Sequence, residues 1–362
     1  MSTTENVQHS GTTDAVEPAA TSVRRSSIND VARLAGVSLG TVSNVLNRPD
    51  RVAPTTREKV ERAIAELSFV RNGSARQLRA GKITTVGAVL LDIANPFFTE
   101  VARGIEDRLA EDDYTLMLAS SDEDPRREAR YLRLFEEHGV LGVLATPAGD
   151  DLGPLMRLRE RGLGIVLLDR TSPDPGICSV AVDDVAGAAM AVTHLISQGH
   201  RRIGLVNGPP SIKQCVDRRA GAVRALTEAG LDPDEALVEV VVPSLNATGG
   251  EQGVTELLAG GPVPSALFCV NDLTALGAMR VLRAHGLSIP GDMAVVGYDD
   301  VDFAAMLMTP LTSVRQPTHQ LGHLAADMLL RSAGPDHEPA RQVVFTPELV
   351  VRESSQPVTA AG

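Results

Sequence analysis

Three cysteines, Cys178, Cys215 and Cys269, are the only thiols in 362 residues. They are scattered, odd in number and without the spacing of metal-ligand pairs. That argues against a disulfide framework or a cysteine-held metal, and small buried thiols in a reducing cytoplasm are expected. No apolar run approaches the ~18 residues of a membrane-spanning helix. The N-terminus shows no basic stretch followed by an apolar one, so export is not expected. Tryptophan is absent, and aromatic residues make up 3% of the chain. Neither the glycine pattern of a dinucleotide site nor that of a P-loop occurs. The histidines are dispersed, with His194, His200, His285, His319 and His323 on expected helices or their ends. These absences argue against an α/β enzyme, and no metal or cofactor is expected.

The length exceeds one typical core, so two or three domains are expected. The formal net charge of −12 is unevenly spread. Residues 22–82 hold 12 Lys and Arg against 5 Asp and Glu, a net +7, whereas residues 83–362 carry −16. A small basic module joined to a large acidic body suits a protein that touches phosphate through one end only. The acidic body itself reads as a solubility feature.

The stretch from Ser27 to Asn47, SINDVARLAGVSLGTVSNVLN, reads as two short helices joined by a tight turn. Ser27 and Asp30 form a capping-box-like start. Val31, Ala32, Leu34 and Ala35 supply an apolar face, and Gly36 suits a stop with positive φ. Ser38 caps a second helix whose inward positions are Val42, Val45 and Leu46. Leu39, Gly40, Thr41, Ser43 and Asn44 are small or polar and are expected to face outward, as a helix entering the major groove requires. Pro54 and Thr55 open a third helix with Val60, Ala63, Ile64 and Leu67 inward. Residues 72–82 are basic and poor in apolar side chains.

D-V-A-x-x-A-G-V-S-x-x-T-V-S-x-V-L-N, then T-R-E-K-V, then A-R-x-L-R-x-G stand in order in this sequence. By these motifs the chain resembles the lactose-repressor (LacI/GalR) family of bacterial transcription regulators. Residues 1–26, rich in Ser, Thr, Ala and Glu with no apolar period, are expected to be a disordered tail, and the resemblance implies a helix-turn-helix headpiece at 27–71 and a hinge helix at 72–82. It implies DNA contacts from Ser38, Leu39, Gly40, Thr41, Ser43, Asn44, Asn47 and Arg57, with Ala75 and Leu78 of the hinge in the minor groove. Leu78 matches the family's wedge between central base pairs, which bends the duplex. Asn44 stands where many relatives carry Arg. An Asn there reads adenine bidentately, which departs from the guanine readout of an Arg.

From Ile83 apolar strands alternate with helices, an α/β pattern of parallel sheets with right-handed crossovers. Strands are expected near 86–91, 114–119, 140–146, 165–169, 179–182, 203–207, 238–242, 266–270 and 294–298, too many for one sheet. Ligands in such folds lie beyond the C-terminal strand ends. D-I-A-N-P-F-F follows the first strand, and Asp169, Asp183-Asp184, Asn271-Asp272 and Asp299-Asp300 end or follow others. These matches extend the resemblance over roughly 27–353. They imply an effector domain at 83–353 similar to periplasmic sugar-binding proteins, followed by a tail at 354–362. Its first lobe would take 83–181 and 314–345, and its second 182–312 and 346–353. Phe97 and Phe98 would flank the ligand, and Asp169, Arg218, Asn271 and Asp299 would bond its polar groups. Asp183, Asp184 and Asp300 read as helix caps. Leu245 is aliphatic where several relatives are aromatic. The C-terminal end lacks leucine heptads, so a homodimer on a palindromic double-stranded operator is expected, with a sugar-like small-molecule effector and no membrane partner. A sugar receptor without DNA function is the alternative, opposed by residues 27–82.

Overall fold

A computed structural model describes residues 26–69, 83–333 and 338–356. The tail at 1–25 and the expected hinge with Ala75 and Leu78 lie outside the described residues. The chain divides into two units, at 1–80 and 81–362.

In the first unit, α1 (Ile28–Ala35) begins at a reciprocal capping box of Ser27 and Asp30 and ends at Gly36, whose φ of 66° is the left-handed conformation glycine adopts without strain. In α2 (Leu39–Asn47) the cap is Ser38, whose side chain accepts from the Thr41 amide at 3.1 Å. Proline at the first turn opens α3 (Pro54–Glu66). Val31, Ala32, Val42, Val45, Val60 and Ala63 form the buried centre. Leu34, expected inward, is 45% exposed, because the small core is filled by its neighbours Val31 and Ala32. Gly36 to Gly40 also spells G-x-S-x-G, the spacing of a hydrolase nucleophile turn. Among the described residues no strand precedes Ser38, which is a helix cap, so the match carries no catalytic meaning.

The second unit holds two six-stranded sheets. The first has β1 (Thr85–Leu90), β2 (Thr115–Ser120), β3 (Gly142–Ala145), β4 (Gly164–Leu168), β5 (Cys178–Val182) and, far along the chain, β11 (Gln342–Phe345). Its order is β11-β5-β4-β3-β1-β2, all parallel. The second has β6 (Ile203–Asn207), β7 (Leu237–Val241), β8 (Ala266–Cys269), β9 (Ala294–Asp299), β10 (Thr312–Arg315) and β12 (Glu348–Val350). Its order is β12-β10-β9-β8-β6-β7, with only β12 antiparallel.

The chain crosses between lobes after β5, after β10 and after β11. The second crossing lies at Gln316-Pro317, because Ser313, Val314 and Arg315 still pair with Gly297, Tyr298 and Asp299 in the second sheet. That corrects the boundary expected at 312–314. The expected tail from 354 also needs correction. Ser354 and Ser355 are buried in a 3-10 turn, where the Ser354 hydroxyl donates to the Val295 carbonyl at 2.6 Å.

Helices cover both faces of each sheet. Across one face of the first sheet, helices Pro96–Ala110 and Thr318–Ala333 meet at Gly104 and Gly322. A Cβ on Gly104 would strike the His319 carbonyl, and one on Gly322 the Val101 carbonyl, so the backbones touch where side chains would part them.

Candidate functional site

In the first unit, Ser38, Leu39, Gly40, Asn44 and Asn47 are exposed, and Thr41 and Ser43 are half-buried. Gly40 and Asn44 are four residues apart and so share one helix face. Leu39 beside them is 45% exposed. The Ser38 and Thr41 hydroxyls bond each other at 2.8 Å, and the Asn47 amide donates to the Ser43 carbonyl at 2.8 Å. The first turns of α2 therefore present a rigid, largely uncharged edge. Arg57 reaches Glu61 at 3.6 Å, one turn on along α3.

In the second unit, Asp169, Arg218 and Asp299 converge where the C-terminal strand ends of the two lobes face each other. Asp169 follows β4 with a φ of 56°, and Asp299 ends β9 with a φ of 110°. Both conformations are uncommon for a residue with a Cβ and are held by the surrounding packing. Arg218 lies within the helix Lys213–Glu228. Its Nε donates to Asp184 Oδ1 at 2.8 Å, its Nη1 to the Val270 carbonyl at 2.5 Å, and its guanidinium lies 3.7 Å from the centre of the Tyr298 ring. Nη1 also stands 3.9 Å from Asp299 Oδ1.

Amide side chains from both lobes hold the two carboxylates. Gln214, one turn before Arg218, donates to the Asp169 carboxylate at 2.8 Å and to its carbonyl at 2.6 Å. Asn95 of the first lobe donates to Asp299 Oδ2 at 3.2 Å, and Gln316 of the crossing donates to Asp299 Oδ1 at 2.8 Å. Asp169 Oδ1 is buried with no hydrogen-bond partner among the described residues. Burial pushes Asp169 well above the usual carboxylate range, reinforced by Asp184, and Arg218 pulls it back. Asp299 is raised to about 6 by burial, against the pull of Arg218 and the Asn95 and Gln316 hydrogen bonds. Asp272, which accepts from Ser313 Oγ at 2.6 Å and from the Val301 amide at 3.0 Å, is raised well above the carboxylate range by burial and by Asp299.

The other expected residues are differently engaged. The amide of Asn271 is used within the second lobe: Oδ1 accepts from the Thr274 amide and Nδ2 donates to the Leu245 carbonyl, each at 2.8 Å. Phe97 and Phe98 are buried edge-to-face, 4.9 Å between ring centres, in one apolar cluster with Ile212, Cys215, Val270 and Val301 of the second lobe. Asp183 caps the helix Asp184–Ser197 through the Ala186 amide. Asp184, expected as a cap, is instead the buried partner of Arg218. Asp300, expected likewise, accepts from Arg315 at 2.8 Å and pairs with Arg352 at 2.6 Å. Sequence reasoning missed Gln214, although its spacing from Arg218 puts both on one helix face. It also missed Asn95, which stands in the D-I-A-N-P-F-F stretch. The described residues contain no cluster of His, Cys, Asp and Glu suited to a metal, and no helix among them is long and apolar enough to cross a membrane.

Known proteins share this two-unit plan. The profile described as bacterial regulatory proteins, lacI family, matches residues 27–72, and that of a periplasmic binding protein-like domain matches 192–355. The transcriptional regulator CelR of Thermobifida fusca is 39% identical over 91% of this chain and 98% of its own. The structure of a CelR–cellobiose complex superposes with a TM-score of 0.68 and 34% identity over 91% of this chain and 100% of that one. The lac repressor dimer bound to operator and the anti-inducer ONPF gives a TM-score of 0.74, with 27% identity over 92% of this chain and 100% of that one. A basic helix-turn-helix unit, a two-lobed ligand-binding fold and near full-length relatives together make this chain a member of the lacI family of bacterial regulatory proteins, a ligand-responsive DNA-binding transcription regulator.

Proposed function

We propose that the chain is a cytoplasmic repressor that binds a palindromic operator as a homodimer, with its affinity set by a sugar or sugar derivative between the two lobes. The observation that carries the ligand class is the pair of buried carboxylates, Asp169 and Asp299, flanking the Arg218 guanidinium at the strand ends. A carboxylate accepts from vicinal hydroxyls, and a guanidinium donates to others. The amides of Gln214 and Asn95 are donors on Asp169 and Asp299 in the structure. A polyol would take over those acceptors and use Asp169 Oδ1, which has no partner among the described residues. The likeness to a CelR–cellobiose complex supports the same class.

In this reading Leu39, Gly40 and Asn44 read base edges and the surrounding arginines grip phosphate. The two half-sites of a palindrome mirror the two-fold axis of the dimer. The ligand shifts DNA affinity only as far as it prefers one lobe arrangement over the other. The test is fluorescence anisotropy with DNA from upstream of the chain's own gene, at two salt concentrations. It is paired with a thermal-shift screen of sugars, nucleosides and phosphorylated sugars. Palindrome-specific binding altered by a compound that raises Tm is the expected result. DNA binding unchanged by every stabilising compound refutes the coupling, and Leu78→Ala is expected to weaken operator binding while leaving that compound's affinity intact.

A further inference from the structure

A cross-lobe hydrogen bond lies outside the Asp169, Arg218 and Asp299 group. Glu123, just past β2 in the first lobe, accepts from the Leu245 amide of the second lobe at 3.0 Å. The backbone that presents it is unusual. Asp122 and Glu123 are consecutive non-glycine residues in the left-handed region, with φ of 55° and 60°. Such conformations persist only where the surroundings impose them, and they gather at functional positions. Arg127 holds the turn through an ion pair with Asp122, and the Glu123 amide donates to the Leu91 carbonyl at 3.2 Å. On the other side, Leu245 is fixed within its own lobe, its carbonyl accepting from Asn271. Glu123 thus reaches Asn271 through a single residue.

We propose that Glu123 is a positioning residue that latches the two lobes closed through the Leu245 amide, and that the latch is released as the pH rises through neutrality. The groups facing it are Asp92 and Asp122 on its own lobe, Arg127 beyond Asp122, and Cys215 on the other lobe. Asp124, next in the chain, is engaged in capping the following helix. Burial raises Glu123 to about 7, with Asp92 and Asp122 adding to the rise and the Leu245 hydrogen bond opposing it. The share of the rise that comes from burial against the second lobe makes the carboxyl take up a proton on closing, whereas the share due to Asp92 and Asp122 on its own lobe is present in both states. The contribution of Glu123 to closure is complete below the ordinary value of 4.5 and is lost as the pH rises through about 7. A protonated carboxyl still accepts the amide through its carbonyl oxygen, without the cost of burying a charge. The closed-to-open ratio therefore falls roughly tenfold between pH 6 and pH 8 and changes little above that.

This inference depends on the two-lobed fold and not on which ligand the cleft takes, so the test adds no effector and can fail independently of the effector reading. Hydrogen–deuterium exchange of the full chain, resolved to the Leu245 amide and scaled for the intrinsic rate, is measured at pH 6 and pH 8. Wild type, Glu123→Gln and Glu123→Ala are compared, with the amides of β8 as the internal standard of folding. Protection at Leu245 should fall about tenfold from pH 6 to pH 8 in wild type. Glu123→Gln, neutral and still an acceptor, should keep the pH 6 protection at pH 8, and Glu123→Ala should lose protection at both. Asp169 and Asp299 remain in every variant, so their titration cancels in the comparison. An identical pH response in wild type and Glu123→Gln overturns the proposal, as does full protection at Leu245 in Glu123→Ala.

Discussion

Arg218 and Asp184 form an ion pair at 2.8 Å in which each side chain is 6% exposed. The pair joins two helices of the second lobe, and beyond it the guanidinium comes within reach of Asp299. Removing one member of a buried pair strands the other charge, at a cost of about 3–5 kcal/mol. Arg218→Ala should therefore lower the stability of the effector domain by about that amount, besides abolishing the ligand response. An apolar pair of similar volume, Arg218→Met with Asp184→Leu, should recover most of the loss. Urea unfolding measures both. A double variant no more stable than Arg218→Ala contradicts this account of the pair.

Because Arg218 carries stability as well as chemistry, Asp169 is the cleaner probe of the ligand. Asp169→Asn keeps the side-chain volume and an oxygen to accept from Gln214, but it puts an NH2 donor where Asp169 offers its second acceptor oxygen, Oδ1. Leaving a buried polar group without its partner costs about 1–3 kcal/mol, so affinity for a polyol should fall roughly fivefold to a hundredfold. Isothermal titration with whichever compound gives the largest thermal shift tests this. Unchanged affinity would remove Asp169 from the ligand site.

The sequence made Asp169 and Asp299 legible because an acidic residue at the end of an apolar strand has a fixed place in a parallel sheet. Arg218 was expected at the site from the family resemblance alone. Asp184 was misread because Asp183 and Asp184 are indistinguishable as caps until the fold brings Arg218, 34 residues on, against the second of them. Gln214, Gln316 and Glu123 were invisible for the same reason, since each bonds a partner supplied by the packing of the lobes. Asn271 shows a limit of another kind: its amide caps a helix and bonds Leu245, and a helix cap and a ligand contact share one pattern when seen from the sequence. The β10 boundary was missed because T-S-V-R is too short to show alternation.

The pH dependence of the second unit follows from Asp299. Burial raises it to about 6 from an ordinary 3.8. A raised carboxyl contributes stability that is complete below its unfolded value and lost as the pH climbs through its folded one. Asp169 and Asp272 are raised too, with the same sign. Resistance to urea should thus decline between about pH 4 and pH 6, by up to about 1.4 kcal/mol per pH unit for each group that titrates. Asp299→Asn should flatten the profile by one group's share. A wild-type unfolding midpoint that rises across this window contradicts the assignment.

In the proposed DNA-binding mode Asn44 and Arg57 do different kinds of work. Asn44 is exposed on the same face as Gly40 of α2, a helix with no charged side chain, and an exposed Asn can pair bidentately with adenine. Arg57 lies on α3, and in the proposed mode it meets phosphate. Asn44→Ala should cost about 1–3 kcal/mol on the preferred operator and relax the preference at one base pair of each half-site. Arg57→Ala should weaken binding evenly across sequences. It should also reduce the slope of log K against log salt by about 1 for every phosphate that Arg57 neutralises. Anisotropy titrations against the operator and its single-base variants, each at two salt concentrations, separate the two effects. If Asn44→Ala lowers affinity for every sequence equally, Asn44 meets the DNA backbone, and the base-reading residues lie elsewhere on α2.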